Sequence, residues 1–262
     1  MPEHFFIVGA QRAGTSYLYS LLSEHPEIEM AKPLKPEPKF FLLEDLFARG
    51  IEYYQSQFFE NKQGIKIQGE KSTCYIESEK VAQRISHFFP GAKIIFILRD
   101  PIQRAISNYW LTANNGLEKL PLDKAFIKEE DRWSNYDHER FSVSPYAYLR
   151  RGRYIDFISF YETYFQKKSI KIILFEELIK SIKVVQDTFA FLGVAEDFIP
   201  TKAGNIINPS QQETSSFPPE LQSYLLDYFS EPNRRLQQQW NLNLSVWDKN
   251  VYEPNLNYAN SI

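Results

Sequence analysis

The sequence predicts an α/β fold of three layers, a central parallel sheet flanked by helices. Three observations lead there. Apolar or mixed runs at 5–8, 66–75, 93–98 and 170–175 alternate with stretches whose apolar residues recur at helical spacing. Strands joined by helical crossovers pair in parallel. The run Lys93 to Leu98 is the clearest buried strand among them. The first run, Phe5 to Val8, leads straight into a small-residue turn and then a helix. With 262 residues the chain can bury a large core, and a single domain over 1–262 is expected.

The first strand–turn–helix organises the rest. Gly9, Ala10, Ala13 and Gly14 carry little or no side chain, so a ligand can approach the backbone. Leu18, Leu21 and Leu22 mark one face of the following helix, expected over about 15–24 and ending near His25-Pro26. Its first turn leaves N–H groups free at the positive end of the helix dipole, an arrangement that binds anions, usually phosphate. Thr15 and Ser16 add hydroxyl donors and Arg12 a permanent charge. The Gly9 to Gly14 spacing gives a P-loop-like turn, but Thr15 stands where a nucleoside-triphosphate loop has lysine. The strand 93–98 ends in Arg99, where a magnesium-binding strand would end in an acid. The pair points to a nucleotide with phosphates at two ends and no metal.

Composition narrows the rest. Net charge is −3, so no global basic field draws the chain to nucleic acid. Cys74 is the only cysteine, and no internal disulfide is possible. No apolar run approaches membrane-spanning length and no leader is evident, so a cytoplasmic location is expected.

Further along, Ala31 to Phe41 contains three prolines and reads as a stiff extended loop, anchored by Phe40-Phe41-Leu42-Leu43. Glu37, between Pro36 and Pro38, has the fixed geometry that a general base needs; a glutamate among lysines is also an ordinary solvated residue. A helix is expected over 51–59. Lys66 to Tyr75 reads as a second parallel strand, with Glu70, Lys71 and Ser72 at its carboxyl end, either as ligand groups or as a salt-bridged turn. A helix over 78–89 closes at Pro90-Gly91. After Arg99, Asp100 is a good N-cap and Pro101 a good first residue for a helix to about Asn114. Arg99 then leaves the strand end and Ser107 lies about two turns into that helix. Arg99 serves as an anion ligand or as a structural ion-pair partner.

The segment 115–145 has weak periodicity and reads as a lid or substrate-facing insertion, with His138 as an acid–base candidate or a surface residue. Residues 146–165 read as largely helical, opening with the basic run Arg150-Arg151-Gly152-Arg153, a phosphate contact or a solvated face. After the strand 170–175, Glu176 and Glu177 open a helix with acids at its N-terminus. A helix over 184–192, a loop over 202–212, two helices over 218–228 and 231–240 and a polar tail complete the chain.

Two motifs carry a family resemblance. Gln11-Arg12-Ala13-Gly14-Thr15-Ser16 resembles the 5′-phosphosulfate loop of sulfotransferases, and Leu98-Arg99-Asp100-Pro101-Ile102-Gln103-Arg104-Ala105-Ile106-Ser107 resembles their 3′-phosphate motif. Phe175-Glu176-Glu177-Leu178 has its usual place, and the chain is most similar to the heparan sulfate and bacterial branch. Glu37-Pro38-Lys39-Phe40-Phe41 matches the segment that carries that branch's general base, with Pro36 where lysine is usual. Glu70 to Tyr75 matches a second segment, with Thr73 in place of proline.

The resemblance implies 3′-phosphoadenosine 5′-phosphosulfate as donor, no metal, and an acceptor hydroxyl or, less favoured, an amine. The acceptor would be a glycan, lipid, polyketide or other small molecule. It makes Glu37 the base, with Arg12 and Lys71 stabilising charge on the leaving phosphate and the sulfuryl oxygens. Gln11 to Ser16 would hold the 5′-phosphate, and Arg99 with Ser107 the 3′-phosphate. Arg12 departs from the family's lysine and keeps the charge without the compact geometry. The competing readings are a P-loop phosphotransferase, which lacks its lysine and magnesium acid here, and a non-catalytic nucleotide-binding protein.

Overall fold

The computed structural model describes residues 2–135, 144–204 and 218–248. Five parallel strands form the sheet, in the order β2-β3-β1-β4-β5. They are β1 (Glu3–Gly9), β2 (Ile28–Met30), β3 (Ile67–Lys71), β4 (Lys93–Leu98) and β5 (Ile170–Leu174). Phe5 to Val8 on β1 and Ile94 to Leu98 on β4 are wholly buried, because helices cover both faces of the sheet. β1 sits in the middle and pairs β3 on one side and β4 on the other. The loops after β1, β3 and β4 therefore meet at one edge, beyond the carboxyl ends of adjacent strands.

α1 (Thr15–Leu22) follows β1, and α2 (Glu44–Phe47) and α3 (Ile51–Phe58) separate β2 from β3. α4 (Glu79–Phe88) starts at Ser78, whose side chain accepts from the Val81 N–H. α5 (Pro101–Asn114) has the expected bounds. Its N-cap Asp100 accepts from the Ile102 and Gln103 N–H groups at 2.8 and 3.1 Å, a contact worth about 1 kcal/mol.

Where it is described, the segment 115–145 is folded and tied to the rest of the protein. α6 (Leu122–Ile127) packs on α5 and α7 (Glu129–Ser134) on α6, with Ala125 and Phe126 in a second buried cluster beside Tyr109 and Tyr148. Buried carboxylates tie it down: Glu118 accepts from the Lys119 and Leu120 N–H groups, Arg132 and Tyr148, and Glu129 accepts from the Leu149 and Arg150 N–H groups. Polar residues that satisfy a buried backbone look like loop residues in sequence, which explains the weak periodicity. His138 lies outside the described residues.

Other boundaries also move. Residues 146–153 are turns and a short 3-10 segment at Arg150–Gly152, and α8 begins only at Tyr154, running to Glu162. α9 (Phe175–Leu178) and α10 (Ile182–Leu192) follow β5. The two expected C-terminal helices are one, α11 (Pro219–Trp240), with Pro232 inside it. A proline there removes one helical hydrogen bond, and burial of Leu225, Phe229, Pro232 and Leu236 along one face holds the helix continuous. The start of the expected polar tail forms α12 (Ser245–Asp248), which buries Trp247. β2 is absent from the sequence reading because it is a three-residue edge strand. No helix among the described residues is long and apolar enough to cross a membrane.

Candidate active site

The loop after β1 turns at Gly14, where φ is +83° and an added Cβ would lie 2.4 Å from the Phe175 ring. Only glycine meets both demands. α1 then starts at Thr15, and the Thr15 and Ser16 N–H groups donate to no other described backbone group. Thr15 is buried, and Gln11 and Ser16 are half-buried around the turn. These free donors stand at the head of an eight-residue helix, where the sequence leads one to expect an anion cradle.

Arg12 and Arg99 converge on that cradle from two strands. Arg12 Nε donates to Ser107 Oγ at 3.0 Å, so the first loop is tied to the second turn of α5. Arg99 Nη1 lies 3.4 Å from the Arg12 carbonyl oxygen, and its guanidinium rests over the Phe175 ring. Burial, and then the charge of Arg99, pull the Arg12 guanidinium below its ordinary range. Burial does the same to Arg99, opposed by Glu176, Asp100 and Tyr154. Both stay protonated, as arginine does in proteins. Two like charges held together in a shielded cleft favour an anion between them.

A second group lies at the end of β3. Lys71 Nζ is 2.6 Å from Glu37 Oε1, in a pair whose lysine side chain is only 3% exposed. The Thr73 N–H donates to Glu37 Oε2 at 2.9 Å, and the Thr73 hydroxyl lies within 3.1 Å of both carboxylate oxygens. Phe40 and Phe41, fully buried, anchor the loop that carries Glu37. Burying each ring stabilises that attachment by about 1.5–3 kcal/mol.

The basic run 150–153 lies beside the start of α5, and its arginines have partners within the protein. Arg151 pairs with Glu77 at 2.6 Å and donates to the Ser144 carbonyl, Arg153 pairs with Asp156, and Arg150 lies over the Trp133 ring. Of the three, only Arg151 is buried, so the run is not a uniformly solvated face.

Sequence reasoning missed the supports. Glu176 accepts from the Asp100 N–H at 2.9 Å with one oxygen and from Trp247 Nε1 at 3.1 Å with the other, and Tyr154 donates to the Arg99 carbonyl at 2.7 Å. These three fix the turn from which Arg99 projects. An acid directly after an apolar strand was the available signal; its partner 76 residues away was not. A cavity of about 250 Å³ also opens beside α1, lined by Tyr17, Leu178, Ile182, Val185 and Gly204 among others. Among the described residues no three His, Cys, Asp or Glu side chains cluster as a metal site.

The family model described as "Sulfotransferase domain" matches residues 2–246. The crystal structure of a sulfotransferase from Alicyclobacillus acidocaldarius is similar at a TM-score of 0.77 and 31% identity, covering 95% of this chain and 99% of that one. Mouse sulfotransferase SULT7A1, solved in complex with PAP, shares the fold at a TM-score of 0.53 and 17% identity, over 94% of this chain and 87% of its own. Mouse heparan sulfate glucosamine 3-O-sulfotransferase 5 is 31% identical over 140 residues, 53% of this chain and 36% of that protein. The first curated relatives are longer: the aligned stretch spans 26% of one and 36% of the next. With its central parallel sheet and a family match over residues 2–246, this chain belongs to the sulfotransferase family.

Proposed function

We propose that the chain transfers a sulfuryl group from 3′-phosphoadenosine 5′-phosphosulfate to an acceptor hydroxyl, without a metal. The observation that carries this reading is the Arg12–Ser107 contact beside Arg99. It joins two anion-binding elements along one wall, one strand away from the Lys71–Glu37 pair. A donor with phosphate at its 3′ end and phosphosulfate at its 5′ end matches that layout. The N–H groups of residues 13 to 16, the Thr15 and Ser16 hydroxyls and Gln11 hold the 5′-phosphate. Arg99 and Ser107 hold the 3′-phosphate, and the cavity beside Tyr17 takes the base.

In the reaction the acceptor oxygen attacks sulfur and the bond from sulfur to the bridging phosphate oxygen breaks. The acceptor proton goes to Glu37, and the departing nucleotide leaves with the electron pair and its negative charge. Arg12 and Lys71 stabilise that charge as it develops. Both Glu37 oxygens already carry hydrogen bonds. Lys71 turning from Glu37 Oε1 to a sulfuryl oxygen frees that oxygen for the proton, so one lysine couples charge stabilisation to base release. Displacement of this kind needs positioning and no nucleophilic side chain. The acceptor is a glycan or another small molecule with a free hydroxyl.

The test is calorimetric titration with 3′-phosphoadenosine 5′-phosphate in EDTA, beside ATP with magnesium. Metal-free binding that Arg99→Ala weakens by about tenfold or more, or about 1.4 kcal/mol, is the expected result. Glu37→Gln retains that binding and loses turnover. Preference for magnesium-ATP, or full turnover of Glu37→Gln, refutes the reading.

A further inference from the structure

Behind the Lys71–Glu37 pair lies a carboxylic acid that the proposed chemistry does not use. Glu70 is adjacent to Lys71 on β3, where successive side chains point to opposite faces of the sheet. It is 1% exposed. Its Oε1 accepts from the Ser72 hydroxyl at 2.6 Å, and the same Ser72 oxygen accepts the Lys39 N–H at 2.9 Å. Lys39 is two residues from Glu37 and has φ +53°, a left-handed conformation that a residue with a Cβ adopts at a cost. Its carbonyl receives the Leu42 and Leu43 N–H groups. Lys39 is thus the pivot between the proline-rich stretch and the Phe40–Phe41 anchor.

We propose that Glu70 is a positioning residue for the base: through the Ser72 hydroxyl it fixes the Lys39 peptide, and with it the turn that presents Glu37 to Lys71. The inference rests on the reading of Glu37 given above. Two neighbouring contacts run the same way. Thr73 holds the Glu37 carboxylate, and the Tyr75 hydroxyl accepts the Phe41 N–H at 2.9 Å. Ser72, Thr73 and Tyr75 therefore stitch residues 37, 39 and 41 to the end of β3. Glu70 accepts a direct bond in the Ser72 stitch, and the Tyr75 hydroxyl faces the same acid. A serine hydroxyl that accepts a backbone N–H has its own hydrogen free to point elsewhere; Glu70 gives that hydrogen one acceptor and so sets the rotamer.

The acid is held at a cost that packing alone would not require. Burial pushes its carboxyl up to about 7, with Glu37 adding to the rise and Ser72, Tyr75 and Tyr54 opposing it. The tyrosine hydroxyls face it without forming a well-directed bond to Oε2, which is left unpartnered. Tyr161 of α8 feels the same charge. An apolar residue would fill this position without that penalty, but it would leave the Ser72 hydroxyl undirected.

The test uses Glu70→Ala, Glu70→Gln and Ser72→Ala, with Glu37→Gln as control. Three readouts apply: amide exchange at Lys39 and Phe41 by mass spectrometry, affinity for 3′-phosphoadenosine 5′-phosphate, and turnover of the sulfated donor with water as acceptor. Glu70→Ala and Ser72→Ala are expected to speed exchange at Lys39 more than at Phe41. They lower kcat by about ten- to hundredfold, the cost of a small misplacement of a catalytic group, with nucleotide affinity unchanged. Glu70→Gln recovers most of both, because its amide oxygen still accepts the Ser72 hydrogen. Ser72→Ala with wild-type exchange and kcat overturns the inference, and it does so even where Glu70→Ala fails to fold. Glu70→Gln as slow as Glu70→Ala overturns it too, because charge and not the acceptor would then matter. Full turnover of Glu37→Gln removes the base itself, and the exchange data then report the stitch alone.

Discussion

Replacing Gly14 with alanine tests how the anion turn is built. Two separate penalties follow from the geometry. The backbone sits at φ +83°, which costs a residue with a Cβ about 1–2 kcal/mol. The new methyl also meets Phe175 Cδ2 at 2.4 Å and Cε2 at 2.6 Å, well inside contact distance. Phe175 cannot move freely, since it opens α9 directly after β5 and lies under the Arg99 guanidinium. Overpacking of this kind costs about 1–3 kcal/mol. Gly14→Ala is therefore expected to lower stability by about 2–5 kcal/mol and to weaken 3′-phosphoadenosine 5′-phosphate binding, because both the cradle and Arg99 shift. The assay is urea denaturation with calorimetric titration, run on Gly14→Ala, Phe175→Leu and the double variant. The steric part should vanish in the double variant and appear as a coupling of about 1–3 kcal/mol, leaving only the backbone strain. A coupling near zero, or an unchanged midpoint and affinity for Gly14→Ala, would refute the argument.

Two more outcomes follow from the same structure. Glu176→Leu leaves the Asp100 N–H and Trp247 Nε1 without their acceptor and should weaken nucleotide binding through Arg99, whereas Trp247→Phe, which keeps the Asp100 contact, should weaken it less; equal affinities for wild type and Glu176→Leu, measured by titration, would exclude that support. Stability against pH separates two buried groups. Burial lowers His4 from 6.5 to about 4, so the folded state binds fewer protons than the unfolded chain, and its contribution of about 3 kcal/mol is present above pH 6.5 and lost as pH falls towards 4. Glu70, raised from 4.5 to about 7, runs the other way: the folded state binds more protons, and stability falls as pH rises from 4.5 to 7. The two oppose each other between pH 4.5 and 6.5. His4→Phe should therefore tilt the denaturation profile towards greater stability at acid pH, and Glu70→Gln towards greater stability at alkaline pH; parallel profiles for all three proteins would show that neither group titrates as its burial demands.

Local chemistry was legible wherever one short stretch contains its own cause. Asp100 and Pro101 announce the start of α5, and the Lys93–Leu98 strand has the bounds its apolar run suggests. Gly14 and the free donors of Thr15 and Ser16 could be read because a tight turn before a helix leaves few alternatives. The partners of the basic run at 150–153, Glu77, Ser144 and Trp133, were not legible locally, because the fold brings them to it. In 115–145 the fold likewise brings Tyr148 to Glu118 and the Leu149 and Arg150 N–H groups to Glu129.

The sequence by itself determined the layered α/β architecture and the tight glycine turn that opens the first helix, because periodicity, capping and glycine geometry act over a few residues. Tertiary structure alone decided which distant residues meet. Arg12 reaches Ser107 across 95 positions, Lys71 reaches Glu37 across 34, and Ser72 joins Glu70 to Lys39. These contacts depend on the strand order β2-β3-β1-β4-β5, which brings the ends of β3, β1 and β4 side by side. That order is fixed by long-range strand pairing and by burial of both sheet faces, and no local pattern in the chain encodes it.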